Sequence, residues 1–495
     1  MVSIVLFNSY FFIFLFLPLT LVIYFILNSI NLFNVSKVWL VFASLFFYGY
    51  WNFIYLPLIL GSILFNYIIG IFLSKDLSFK YKSLFTKKSI LIFGIVADLM
   101  LLGYYKYCDF FISNVNNLIG VNLSLLHVVL PLGISFFTFT QIAYLVDAYK
   151  GEVKQKNYQN YSLFVTFFPH LLAGPIIHHR EMMPQFDNPE LKSFNNKNLA
   201  SGLFLFFIGL FKKVIIADTL AVWANNGFDN AAILTFIEAW TTSLSYTFQL
   251  YFDFSGYTDM ALGSALMFNI VLPNNFNSPY KSTNIQDFWR RWHITLSRFL
   301  REYVYIPLGG NRKGNFRNYT NLMATFLIGG LWHGSGWTFV FWGFLHGLAA
   351  IIHRVWQKLG FKMHFILAWF ITFNFVNIAW VFFRAKEFKS AIKVIRGMMG
   401  LEGFVLPNRL AGILAFLGGY GVEFGNPVEN MQIGGIITVA FVLLIIFLAV
   451  IIMRNSNEVM ERLKPNMKYA FITVFMAVWG ILSLNKVSEF IYFQF

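Results

Sequence analysis

Long apolar runs alternate with short polar stretches along the whole chain. A helix that crosses a bilayer needs about 20 mostly apolar residues. The segments that meet or approach this are 4–27, 38–57, 58–73, 90–107, 128–147, 200–222, 232–252, 255–272, 320–334, 336–356, 364–383, 432–453 and 469–485. Several are short or share a boundary. The pattern therefore predicts an all-α, polytopic integral membrane protein with about 11 to 13 membrane helices, some of them not crossing fully. Residues 4–27 are too long for the apolar core of a signal peptide and have no basic leader, so they read as a retained first membrane helix. Residues 161–177 are apolar but short, and Pro169, Gly174 and Pro175 interrupt them. That is the pattern of a broken or re-entrant helix, which survives at membrane depth only when buried in protein or lining a cavity.

The polar stretches orient the runs. Residues 74–89 hold Lys75, Lys80, Lys82, Lys87 and Lys88 against Asp76, and residues 281–318 are similarly rich in Arg and Lys. Both are expected on the cytoplasmic side. Residues 281–310 begin as a helix, with Ser282 or Thr283 as N-cap and Asp287 in its early turns. Trp289, Trp292, Phe299 and Leu300 give it an apolar face, while Arg291, Arg298 and Arg301 are polar, so it reads as an interfacial amphipathic helix with His293 in its middle. There is no fixed-period repeat, no low-complexity segment and no polar stretch long enough for a separate soluble domain, so residues 1–495 read as one membrane domain.

Composition agrees. Of 495 residues 58% are hydrophobic and 12% charged, about half the charged fraction of a soluble domain. The net charge of +15 lies between apolar runs, where basic loops facing anionic membrane lipids account for it, and no nucleic-acid partner is expected. The lone Cys108 rules out an internal disulfide and any cysteine-based metal cluster.

Candidate chemistry concentrates in three places. His333 lies within Gly329-Gly330-Leu331-Trp332-His333-Gly334, deep in an apolar stretch. Ionisable residues in membrane segments are rare and face a cavity or the bundle interior. A buried neutral imidazole is a suitable general base for a hydroxyl, with a structural hydrogen bond between helices as the alternative. His346, thirteen residues on, reads as structural. The arginines of the amphipathic helix can sit on lipid headgroups or receive an anionic donor such as the phosphates of a coenzyme A thioester, because the guanidinium fork matches phosphate. In the run from Ser245 to Met260, Gln249, Asp253 and Asp259 stand among aromatics; Asp253 can orient a histidine or serve packing. His170, His178 and His179 flank the broken segment, but no carboxylate stands at ligand spacing, so neither a metal nor a bound cofactor is expected. The chain closes on Phe490-Ile491-Tyr492-Phe493-Gln494-Phe495, an aromatic belt or a tail whose Tyr492 hydroxyl enters a site.

In these blocks, together with Pro131–Phe139, Ala173-Gly174-Pro175-Ile176 and Tyr251–Tyr257, the sequence resembles the membrane-bound O-acyltransferases, in the branch that O-acetylates alginate and peptidoglycan. The resemblance runs over nearly the whole chain. It implies a multi-helix membrane core with a central funnel, in the bacterial inner membrane. It implies His333 as the catalytic histidine and His293 as the second histidine of the site. Around them it suggests Arg290, Arg291 and Arg298 as donor-binding residues, and Trp332, Asp253 and Gln249 as supporting ones. The donor implied is acetyl-coenzyme A or an acyl-carrier thioester. The acceptor is an extracytoplasmic polysaccharide, reached through a periplasmic or membrane-anchored O-acetyltransferase partner. A more distant teichoic-acid D-alanylation system carries an aromatic-Tyr-aromatic ending on a small partner, which suggests Tyr492 as a covalent acetyl carrier. Competing readings are other acyl transfer on the same fold, including D-alanylation and protein or lipid acylation, and a non-catalytic transporter, for which broken helices are also expected.

Overall fold

The computed structural model describes residues 7–74, 86–153, 157–431, 433–463, 466–484 and 490–491. Among them the protein is all-α, save one parallel pair in which Phe404–Pro407 lies beside Val422–Gly425. Among the described residues six helical runs are long and apolar enough to cross a membrane, judged by length and composition: Phe12–Ser29, Phe53–Ser74, Lys87–Ile119, Asn196–Asn230, Trp337–Lys358 and Phe365–Arg384. Ile436–Ile452 and Met467–Leu482 are shorter apolar helices. The remaining expected spans form helices that are shorter or carry more polar residues, such as Ile134–Tyr149 and Gly314–His333.

The structure redraws two boundaries. Residues 232–252 and 255–272 are not separate spans, because one helix runs unbroken over Phe236–Met267. The polar cluster that resembled a boundary is buried within that helix, with Asp253 1% and Ser255 2% exposed. The amphipathic helix, conversely, is two short helices. Asn284, not Ser282 or Thr283, caps the first, its Oδ1 accepting from the Asp287 backbone N–H at 2.8 Å. That helix covers Ile285–Arg291, and a second covers Ile294–Leu300. The expected broken segment is present as a helix over Tyr158–Thr166, buried from Asn160 onward, and a single buried turn over Phe168–Leu171.

The chain divides into two compact units that interleave in sequence. The first comprises 1–211, 256–275 and 459–494; the second comprises 212–255, 276–458 and residue 495. In the first, Met467–Leu482 packs on Asn196–Phe211, with Gly480 seated against the Leu210 side chain. In the second, Gly314–His333 packs closely on Trp337–Lys358, its neighbour in sequence. A Cβ on Gly330 would collide with the Phe339 carbonyl oxygen, and one on Gly343 with that of Phe326. Small residues at such crossings let two membrane helices approach backbone to backbone.

Candidate active site in the second unit

His333 is the last residue of the Gly314–His333 helix, and Gly334 leaves it extended. The imidazole is 3% exposed. Trp332, Trp342 and Phe383 surround it at ring-centroid distances of 5.0, 5.2 and 5.1 Å. His293 approaches from the break between the two short helices, its ring centroid 6.3 Å from that of His333 and 6.0 Å from Trp332. At 6.3 Å the two rings are too far apart for their nitrogens to share a hydrogen bond, which needs about 2.7–3.2 Å.

His293 holds this place at a backbone cost. Its φ of +43° and ψ of +55° put a non-glycine residue in the left-handed region, which disfavours L-residues by about 1–2 kcal/mol. Such outliers persist only where surrounding packing fixes them, and they gather at functional sites. Phe254 packs edge-on against the ring at 4.8 Å. The position lies outside the membrane-spanning helices, and burial pushes the imidazole down to about 3, so it is neutral at ordinary pH.

Behind His333 the aromatic wall continues. Trp342 stands 4.8 Å from His346, and Trp289 Nε1 donates to His346 Nδ1 at 3.2 Å. This bond places the His346 proton on Nε2, the structural role expected of that residue.

The supporting residues divide. Trp332 belongs to the cage. Gln249 is buried, and its Oε1 meets no hydrogen-bond partner among the described residues. Asp253, read as orienting a histidine or serving packing, faces the Lys213 ammonium at 2.7 Å, which also reaches Asp218 at 2.8 Å. The reason is local geometry. A π-helical turn over Lys212–Ala217 interrupts the helix and carries Lys213 into the interior, where its side chain is 1% exposed. Lys213 was legible as a lysine inside an apolar run, a signal that positive loop charge masks. Trp342 and Phe383 carried no signal beyond aromatic content.

The three arginines also differ. Arg290 is exposed and Arg298 half-buried. Arg291 is committed within the protein: its Nε donates to both Asp287 oxygens at 3.0 Å, and Nη1 to the Asn277 carbonyl at 3.3 Å. Arg290, which is exposed, is thus more accessible to an incoming anion than Arg291.

In the first unit, His178 and His179 converge on Asp147, with Nδ1 to Oδ2 distances of 4.0 and 3.2 Å. Among the described residues no cluster of three His, Cys, Asp or Glu is placed to hold a metal. Asp259 is buried in the same unit. Tyr492 lies outside the described residues.

The sequence profile described as "MBOAT, membrane-bound O-acyltransferase family" matches residues 35–390. The chain belongs to the membrane-bound O-acyltransferase family. It is 54% identical over 437 residues to a "Peptidoglycan O-acetyltransferase" of Helicobacter pylori, covering 82% of each chain. It is 40% identical over 398 residues to a "Probable alginate O-acetylase" of Pseudomonas aeruginosa, covering 79% of this chain and 74% of that one. A "Teichoic acid D-alanyltransferase" of Bacillus subtilis matches less, at 29% over 273 residues, 52% of this chain and 69% of the other. The protein is a multi-pass membrane O-acyltransferase, as its sequence motifs imply.

Proposed function

We propose that this acyltransferase takes an acetyl group from a cytoplasmic thioester, acetyl-coenzyme A, and delivers it through a central funnel to an extracytoplasmic glycan. Peptidoglycan is the favoured polymer, because the peptidoglycan-acetylating relative is more similar than the alginate one, 54% against 40%. The whole chain serves as one membrane domain in the bacterial inner membrane. A periplasmic or membrane-anchored partner completes transfer to the sugar. The observation that carries this reading is the pairing of His333 and His293 in one buried aromatic cage, with centroids 6.3 Å apart.

His333 acts as general base. Its unprotonated nitrogen takes the proton of an acceptor hydroxyl, and the oxygen attacks the thioester carbonyl carbon. The carbon–sulfur bond breaks, and the departing thiolate recovers the proton from the imidazolium. His293, neutral and opposite, donates to the oxygen that gains charge at the carbonyl. Arg290 and Arg298 meet the donor phosphates. The Tyr492 hydroxyl is the first acceptor, so acetyl-tyrosine is an intermediate on the way to the glycan. Trp332, Trp342 and Phe383 exclude water, which otherwise hydrolyses the thioester.

The test is His333→Ala in cells that lack the native copy, with acetyl groups released from isolated cell wall measured by chromatography. General-base removal typically costs ~10²–10⁴ in rate, so acetylation should fall to background while the variant still purifies as a monodisperse membrane protein. Acetylation at the level of the unmodified protein would overturn the assignment. For the relay, mass spectrometry after exposure to acetyl-coenzyme A should find acetyl on Tyr492, and an active Tyr492→Phe would exclude it.

A further inference from the structure

The second unit carries two adjoining cavities, neither of them lined by His333 or His293. One, about 620 Å³ in volume, is apolar and is lined by residues that include Leu345, Leu348, Ile352, Phe361, Ile371 and Phe375. Its volume is within the range of a true ligand pocket, about 300–1,000 Å³. The other, about 320 Å³, is polar and is lined by Gln286, Asn318, Arg354, Gln357 and Lys358. Gln357 borders both, and Ile285 of the first adjoins Gln286 of the second. An apolar chamber thus opens beside a basic one.

The basic chamber has an unusual charge balance. Arg354 Nη1 donates to Asn318 Oδ1 at 3.0 Å, and Lys358 Nζ donates to Asn315 Oδ1. Asn318 Oδ1 also accepts from the Tyr305 hydroxyl at 2.6 Å. The guanidinium lies 6.0 Å from the Tyr305 ring centroid, and the ammonium 5.5 Å from that of Tyr319. Both cations are therefore steadied by amide oxygens and ring faces, and neither forms an ion pair among the described residues. No acid lines the chamber. Two positive charges held one helical turn apart, with neutral partners only, are arranged for an anion that comes from outside the chain.

We propose that the two cavities form a binding site for one anionic phospholipid, with an acyl chain in the apolar chamber and the headgroup phosphate between Arg354 and Lys358. The apolar chamber argues for a lipid over a coenzyme. An acetyl group has two carbons and coenzyme A no long alkyl chain, so neither fills a volume of 620 Å³ lined by leucine, isoleucine and phenylalanine. The basic chamber argues for a net negative lipid, since clusters of Lys and Arg at a membrane edge select anionic headgroups. The site is separate from the cage of His333 and His293, and stands whether or not the acetyl reading does. Phe375, which lines the apolar cavity, has its ring 5.4 Å from that of His346.

The full-length protein is incubated with vesicles of equal phosphatidylglycerol and phosphatidylcholine, re-extracted in mild detergent, and weighed intact by native mass spectrometry. One phosphatidylglycerol should remain bound, in roughly tenfold preference over phosphatidylcholine, given two cations at the membrane edge. The double variant R354Q/K358Q should lose that preference. Ile352→Trp, which fills the apolar chamber, should lower retention of both lipids. Equal retention of the two lipids by the unmodified protein overturns the proposal even if a variant fails to fold. So does undiminished preference in R354Q/K358Q. Displacement of the retained lipid by millimolar coenzyme A also overturns it, and assigns the cations to the donor.

Discussion

Replacing Lys213 by methionine removes one buried cation and leaves two carboxylates behind. Nζ lies 2.7 Å from Asp253 and 2.8 Å from Asp218, with side-chain exposures of 1% for the lysine, 2% for Asp253 and 13% for Asp218. At an effective dielectric constant of about 20, each contact represents ~6 kcal/mol of gross Coulomb attraction. Most of that is offset by the loss of hydration when the ions are buried, so the pair itself adds little net stability. Removal of one partner is a different quantity, because the carboxylates stay buried without their counter-charge. The expected loss for Lys213→Met is about 3–5 kcal/mol. The triple variant K213M/D218N/D253N discharges the whole cluster and should recover most of it, since neutral groups of similar volume replace buried ions at little cost. Reversible denaturant unfolding in mixed micelles, followed by tryptophan fluorescence, measures all three proteins. A single variant within about 0.5 kcal/mol of the unmodified protein would place the cluster in the range of solvated surface pairs and refute the reasoning. A triple variant no more stable than the single one would refute it as well.

His293 supplies a pH signature. Its folded-state value of about 3 lies below the ordinary 6.5, so between those values the unfolded chain binds a proton that the folded chain refuses, and stability falls as pH drops. His293→Asn tolerates the left-handed backbone but does not titrate. The stability difference between the two proteins should shrink from pH 7 to pH 4, by at most about 1.4 kcal/mol per pH unit; a difference that stays constant excludes a buried neutral imidazole. At the helix crossing, Gly343→Ala drives a methyl group into the Phe326 carbonyl oxygen and should cost about 1–3 kcal/mol in the same unfolding assay. Gly336→Ala meets nothing nearer than 3.5 Å and should be close to neutral, so equal effects at the two positions would contradict the packing described.

The sequence and structure agree where physics is local. Apolar run length declares the membrane helices, and His333 stands out as an ionisable residue within one of those runs. The commitment of Arg291 was also readable, since Asp287 stands four residues before it, one helical turn away. What was not legible depends on distant partners. Asp253, Ser255 and Gly256 resemble a helix boundary until Lys213, forty positions earlier in the chain, supplies the charge that lets the helix continue through them. The break at His293 has no local mark, because histidine does not advertise a left-handed backbone as glycine does. Packing from Phe254, Trp332 and His333 holds it there.

The interleaving of the two units has a consequence for biosynthesis. The face of Asn196–Phe211 that receives Gly480 is made early, while Met467–Leu482 is made almost 270 residues later. At about 5–20 residues per second of synthesis, that seam waits roughly 15–50 s before its partner helix exists. During this interval lipid or the insertion machinery must occupy it. Mutations that loosen the seam should therefore reduce the yield of inserted protein before they alter any property of the finished molecule.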